Sequence, residues 1–134
     1  MFEDLTLMAM ARKNIDWLTR RQEVLAENVA NANTPKYQAR DLKPLDFKKV
    51  MEAEQQPVQA ATTNPMHISP AVEPVKYDPT AERNPDESKP DGNTVLLEEQ
   101  MEKIGDVKAK YALAINLLQK NVKMLQTAIG KSGS

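Results

Sequence analysis

The sequence predicts an all-α protein in which two long terminal helices form an antiparallel coiled-coil hairpin. A Pro-rich, largely extended or flexible middle with little β structure joins them. Three observations lead there. Apolar residues recur at alternating steps of three and four along both ends of the chain. Seven of the nine prolines crowd between Lys48 and Asn93, and the residues flanking that stretch are helix stops and starts. The expected units are 1–34 for the N-terminal helix, 35–93 for a turn and insertion, and 94–134 for the C-terminal helix, the two helices making one domain.

In the first helix the apolar line is Met8, Ala11, Ile15, Leu18, Gln22, Leu25, Val29 and Ala32, broken only by Gln22. That spacing keeps one stripe facing a partner helix along its length. Pro35 drives Thr34 into an extended conformation, so the helix is expected to stop near Ala32 or Asn33. A second line, Leu7, Met10, Asn14, Trp17, Arg21, Val24 and Asn28, alternates apolar and polar residues. It fits either a half-exposed flank or a surface for another subunit, with Trp17 its largest anchor.

The middle carries prolines at 57, 65, 70, 74, 79, 85 and 90, which forbid a continuous helix and any long central strand. Apolar residues there are scattered, so the core must come from the two ends.

In the last segment the line is Leu97, Met101, Ile104, Lys108, Tyr111, Ile115, Leu118, Val122, Leu125 and Ile129. Asn93 and Thr94 are the candidate N-caps, Glu98 and Glu99 suit the positive end of the helix dipole, and Gly130 closes the far end. Gly105 is a weak point inside. The intramolecular seam is therefore expected to join Met8, Ile15, Leu18, Leu25 and Val29 to Leu97, Ile104, Ile115, Leu118, Val122 and Leu125. A neighbouring line of Ala114, Leu117, Met124 and Ala128 widens the apolar face beyond what one partner covers, which makes Leu117 and Met124 candidates for subunit contacts. The helices would be roughly 43 and 52 Å long. Two such helices sharing one seam are marginal in water, so assembly is expected to complete the core.

Chemistry is sparse. A net charge of −1 and a pI of about 5.9 give no electrostatic reason for nucleic-acid binding. The absence of cysteine removes disulfides and thiol nucleophiles, and no apolar run is long enough to span a bilayer. The opening residues carry acids where a secretory signal carries basic residues, so no cleaved signal is expected. His67 is the single histidine and sits in a Pro-rich "NPMHIS" stretch without helical ligand spacing. "PDESKPDGN" lacks the alternating ligands and terminal glutamate of a calcium loop, and no phosphate loop or nucleophile elbow occurs. Neither cofactor, metal, small-molecule substrate nor enzymatic activity is expected.

The stretch "AENVANANTPKYQARDL" holds three asparagines, Asn28, Asn31 and Asn33, before a Thr-Pro. Capping explains one of them. Asn28 lies a full turn earlier, where asparagine is a mediocre helix former, and its amide could equally fix register against another chain.

"LAENVANANTPKYQARDL" resembles the N-terminal signature of the bacterial flagellar axial proteins, the rod and hook components, in which an Ala-Asn-rich helix end runs into a Thr-Pro-Gly-Tyr turn. "TNPMHI", "DGNTVLLEEQM" and "YALAINLLQKNVKMLQTAI" resemble, within that family, the proximal rod components. Lys36 departs from the pattern, standing where the family has glycine; if that position needs a positive φ, lysine there is strained. The resemblance implies a structural subunit whose partners are copies of itself, other rod proteins and the junction of membrane ring and export apparatus. It implies a periplasmic rod in the flagellar basal body, export without a cleaved signal peptide, and contacts to neighbours at Asn28, Asn31, Asn33, Pro35 and Tyr37. A soluble coiled-coil adaptor or export chaperone shares the heptads, but does not account for the asparagines or the Pro-rich insertion.

Overall fold

In the computed structural model, residues 2–54, 76–82 and 88–130 are described here, and for 2–5 and 53–54 the backbone alone. The chain is mostly helical with little strand. Its elements are α1 (Phe2–Ala30), β1 (Arg40–Asp41), α2 (Phe47–Glu54), β2 (Thr80–Ala81) and α3 (Leu97–Ala128). His67 and the "TNPMHI" stretch lie outside the described residues.

α1 ends slightly earlier than Pro35 requires. Turns from Asn31 to Thr34 finish it, with the Asn31 N–H reaching the Glu27 carbonyl at 3.0 Å and the Thr34 N–H reaching the Asn31 carbonyl at 3.0 Å. α3 begins later than expected. Asn93 and Thr94 do not cap it; Leu96 occupies the N-cap position in an extended conformation with no side-chain cap bond. Both polar side chains are held elsewhere, in the turn that follows α1. Glu98 and Glu99 do lie in the first turn of α3, and Gly130 takes a φ of 80° just beyond its end.

The middle contributes more structure than its prolines suggest. Residues 45–56 carry no proline, and Asp46 starts α2 by accepting the Lys48 and Lys49 N–H groups on Oδ1 at 3.1 and 3.4 Å. β1 and β2 form a short antiparallel ladder, Arg40 opposite Ala81 and Asp41 opposite Thr80. The Glu82 N–H extends it to the Ala39 carbonyl at 2.8 Å.

The core lies at one end of the α1–α3 contact. Leu18, Leu25 and Val107 form its buried cluster, with Trp17 and Ile104 packed against them. Val24, Ala39, Leu42, Val95 and Ala114 are also buried. A third layer therefore exists at this end, and the chain's own residues 37–45 supply it. They cover the flank of α1 that carries Trp17, Arg21, Val24 and Asn28, which the sequence left open between solvent and another subunit. At the opposite end Met8, Asn121, Met124, Leu125 and Ala128 line a cleft of about 200 Å³.

α3 uses its apolar lines in a shifted register. Gln100, Val107 and Ala114 are its buried residues, each seven apart, with Ile104, Leu118 and Leu125 half-buried beside them. Of the expected seam, Leu18 and Leu25 are buried; Met8, Ile15, Val29, Ile104, Ile115, Leu118, Val122 and Leu125 are half-buried. Leu97 is 52 % exposed and Met101 56 %. Neighbouring heptad lines on one helix have the same spacing, Gln100, Val107, Ala114 and Asn121 beside Met101, Lys108, Ile115 and Val122, and polar partners decide between them: turning Gln100 and Val107 inward leaves Lys108 in water.

Candidate functional site

Asn28 sits near the end of α1 at 0 % exposure, so its amide must be satisfied inside the molecule. Its Nδ2 donates to the Arg40 carbonyl at 2.6 Å and to Gln100 Oε1 at 2.8 Å. Its Oδ1 accepts the Arg40 N–H at 3.0 Å and the Tyr37 hydroxyl at 3.2 Å. One side chain thus ties α1 to β1, to the turn and to α3. The expected contact of Asn28 with a neighbouring subunit gives way to this internal stitch, because a fully buried amide has no surface to offer. Gln100 presents its oxygen to Asn28, and its Nε2 is buried without a partner among the described residues.

Asn93 does similar work from the other side. Its Nδ2 donates to the Asn31 and Thr34 carbonyls at 2.9 and 2.7 Å, and its Oδ1 accepts the Val95 N–H at 2.8 Å. Thr94 Oγ1 accepts the Ala39 N–H at 2.9 Å, and the Thr94 N–H reaches the Tyr37 carbonyl at 3.0 Å. The carbonyls that a helix end leaves open are thereby paired with the segment entering α3. Asn31 closes its own turn, donating Nδ2 to the Glu27 carbonyl at 2.8 Å and accepting the Thr34 hydroxyl at 3.1 Å.

Lys36 adopts a φ of 60°, the left-handed conformation that glycine takes without penalty. Its N–H bonds the Asp91 carbonyl at 3.0 Å, and a Cβ on Gly92 would lie 3.4 Å from Lys36 Cγ. Two backbones approach closely here, each at a positive φ. Asn33 and Pro35 are exposed at the tip, and Tyr37 is half-buried through its bond to Asn28.

Beside the stitch runs a band of alternating charge. Arg21 grips Asp41 with two parallel bonds, Nε to Oδ1 at 2.9 Å and Nη2 to Oδ2 at 2.8 Å, and lies 3.8 Å from Asp106. Lys103 of α3 reaches Glu99 at 2.8 Å, Asp41 at 4.0 Å and the carboxylate of Glu82. Burial alone would push the Asp41 carboxyl up, but Arg21, the Leu42 N–H and Lys103 outweigh it and hold it below the usual carboxylate range. Burial likewise opposes charge on Lys103, and its bonds to Glu82 and Glu99 raise it above an ordinary lysine. The bond to Asp41 raises the Arg21 guanidinium further. These charges join α1, β1, the residue after β2, and α3.

Trp17 donates its indole N–H to the Lys43 carbonyl at 3.0 Å and lies under the Arg21 guanidinium, 5.5 Å from ring centroid to Cζ. Leu117 and Met124 remain 51 and 53 % exposed. Sequence reasoning missed Gln100 and Asn93 as partners of the asparagine cluster. The available signal was a glutamine one heptad before Val107 and an asparagine directly after a Gly turn. Among the described residues no group of three or more histidine or acidic side chains is arranged to hold a metal ion, and no helix is long and apolar enough to cross a membrane.

This geometry coincides with the similarity to known proteins. The family model for flagella basal body rod proteins matches residues 18–38, from the buried Leu18 through the stitch to Gln38. The flagellar basal body rod protein FlgB of Agrobacterium fabrum is 37 % identical over 125 residues, covering 92 % of each chain. The Escherichia coli protein of that name is 37 % identical over 117 residues, covering 81 % of this chain and 82 % of its own. That of Salmonella typhimurium is 36 % identical over 119 residues with the same coverage.

Proposed function

Because this chain belongs to the family of flagellar basal body rod proteins named FlgB, and is therefore a structural rod component and not an enzyme, we propose that it is the proximal rod subunit. In that role it polymerises with copies of itself and other rod proteins into the tubular shaft between motor ring and hook. The observation that supports the reading is a 37 % identity spread over 125 residues, 92 % of each chain, and not confined to the signature.

On this reading α1 and α3 work as an antiparallel coiled-coil hairpin. Supporting it, partners on α1 run backwards along α3, from Asn28 with Gln100 and Arg21 with Asp106 to Met8 beside Leu125. Units 1–34 and 94–134 act as one domain, with residues 37–45 laid against α1 and Asn93 tied back to the end of α1. Asn33 and Pro35 at the tip, with Asn31 behind them, meet neighbouring subunits, while Asn28, Tyr37 and Trp17 hold the shape of that tip. Leu117 and Met124 meet neighbours along α3. The subunit stands in the periplasm, at the junction with membrane ring and export apparatus, and leaves the cytoplasm without a cleaved signal peptide.

Fractionation tests this against a soluble adaptor or export chaperone: the protein copurifies with detergent-extracted basal bodies, and recovery solely in the soluble fraction refutes the proposal. Leu118→Asp is expected to abolish incorporation into rods with expression intact, since a charge on the half-buried line of α3 opposes pairing with α1. Normal motility in that variant would refute the pairing.

A further inference from the structure

α3 carries two exposed apolar pairs with the same internal spacing. Leu97 and Met101 are 52 and 56 % exposed, and Leu113 and Leu117 are 60 and 51 % exposed. Each pair is spaced i, i+4, which places its members on one face a turn apart. The second pair follows the first by sixteen residues. At 1.5 Å and 100° per residue, that is a displacement of about 24 Å and a rotation of roughly 160°. The pairs therefore face nearly opposite ways, and one copy cannot bring them together.

Their surroundings differ in sign. Glu98 and Glu102 alternate with Leu97 and Met101, are exposed, and form no ion pair among the described residues. Leu113 and Leu117 lie in a groove of about 330 Å³ with Phe47, itself 45 % exposed, and Lys110 on its lining. The groove continues past Phe47 to Leu7 and Met10 of α1. Lys48 and Lys49 follow Phe47 on α2, and Lys120 follows Leu117 on α3, all exposed. Acids also stand near the groove: Asp106 pairs with Lys110 at 2.7 Å, Asp46 receives the first N–H groups of α2, and Glu52 is exposed one turn beyond Lys48, so the uncompensated positive charge comes from Lys48, Lys49 and Lys120 together.

We infer that the acid-flanked pair Leu97 and Met101 of one copy docks in the base-flanked groove of Leu113, Leu117 and Phe47 of the next copy of this chain. Three properties select that occupant. Apolar knob meets apolar groove, acid meets base, and the displacement between them gives a contact that repeats without closing. An isologous pairing of either patch with itself would set acid against acid or lysine against lysine. The inference rests on the reading of the chain as a rod subunit and names the surface through which successive copies touch.

The chain lacks cysteine, so paired cysteines report this contact without background. Met101→Cys combined with Leu117→Cys is introduced into cells, basal bodies are isolated and oxidised, and products are resolved without reductant. The expected result is a ladder of multimers from the double variant and none from either single variant. Dimers from a single variant would show a self-paired patch and overturn the inference. A second measurement does not depend on the cysteines: Glu98→Lys with Glu102→Lys is expected to abolish swarming, and adding Lys48→Glu, Lys49→Glu and Lys120→Glu to restore it. Wild-type protein present in basal bodies, with no ladder and no restoration, defeats the interface alone. Wild-type protein absent from basal bodies defeats the rod reading itself.

Discussion

Replacing Asn28 with alanine tests the stitch directly. The side chain is 0 % exposed and makes four hydrogen bonds, two through Nδ2 and two through Oδ1. Truncation strands the Arg40 N–H and carbonyl and Gln100 Oε1 beneath α1; the Tyr37 hydroxyl, part-buried, can turn to water. At about 1–3 kcal/mol for each buried group left unpaired, the three sum to roughly 3–6 kcal/mol after partial relaxation. A small domain holds only about 5–15 kcal/mol in total, so the variant should lose much of its cooperative unfolding. Urea titration of the purified chain, followed by far-ultraviolet circular dichroism, measures this. Gln100→Ala provides the control. It removes one of the stranded groups, so the double variant should cost less than the sum of the singles by about 0.5–3 kcal/mol. A loss below about 1 kcal/mol for Asn28→Ala, or strict additivity with Gln100→Ala, would refute the bridging role.

Further expectations concern backbone and charge. Lys36→Gly relieves a left-handed residue whose cost is about 1–2 kcal/mol, against an unfolded-state penalty of about 0.4–1 kcal/mol, so the melting temperature should rise slightly; a fall would show that Lys36 gains more from its surroundings than it loses in strain. Gly105→Ala should stabilise by about 1 kcal/mol in the same urea titration, because nothing lies within 4 Å of an added Cβ and the helix gains propensity. Asp41 has a depressed folded pKa, so its contribution is present above its unfolded value of about 3.9 and is lost as pH falls through the folded value. Asp41→Asn should therefore lower stability at neutral pH and flatten its acid limb, and an unchanged pH profile would contradict the role given to Arg21 and Lys103.

The alternating spacing of Met8 through Val29 and of Leu97 through Leu125 determined that both ends of the chain are helical, since a continuous apolar stripe is the signature of a helix with something to bury against. Pro35, Gly130 and the glutamates of the first turn of α3 fixed the ends to within a few residues. The family resemblance marks Lys36 as a lysine in the place of a glycine but leaves its backbone open, and the structure gives it a φ of 60°. The short helix α2 was also legible, in a proline-free run behind Asp46, but composition averaged over the Pro-rich middle hid it.

Other decisions belong to the tertiary structure. Two apolar lines on α3 are equivalent by spacing, and the line of Gln100, Val107 and Ala114 turns inward because Gln100 meets Asn28 and Lys103 meets Asp41 and Glu82. Those partners lie tens of residues away in sequence, and periodicity carries no information about them. The surplus asparagine of the helix end resolves in the same way: Asn28 is one component of a bridge whose other components, Arg40 and Gln100, come together only when the chain returns. A local sequence shows that a buried amide needs partners; only the packed chain determines which groups supply them.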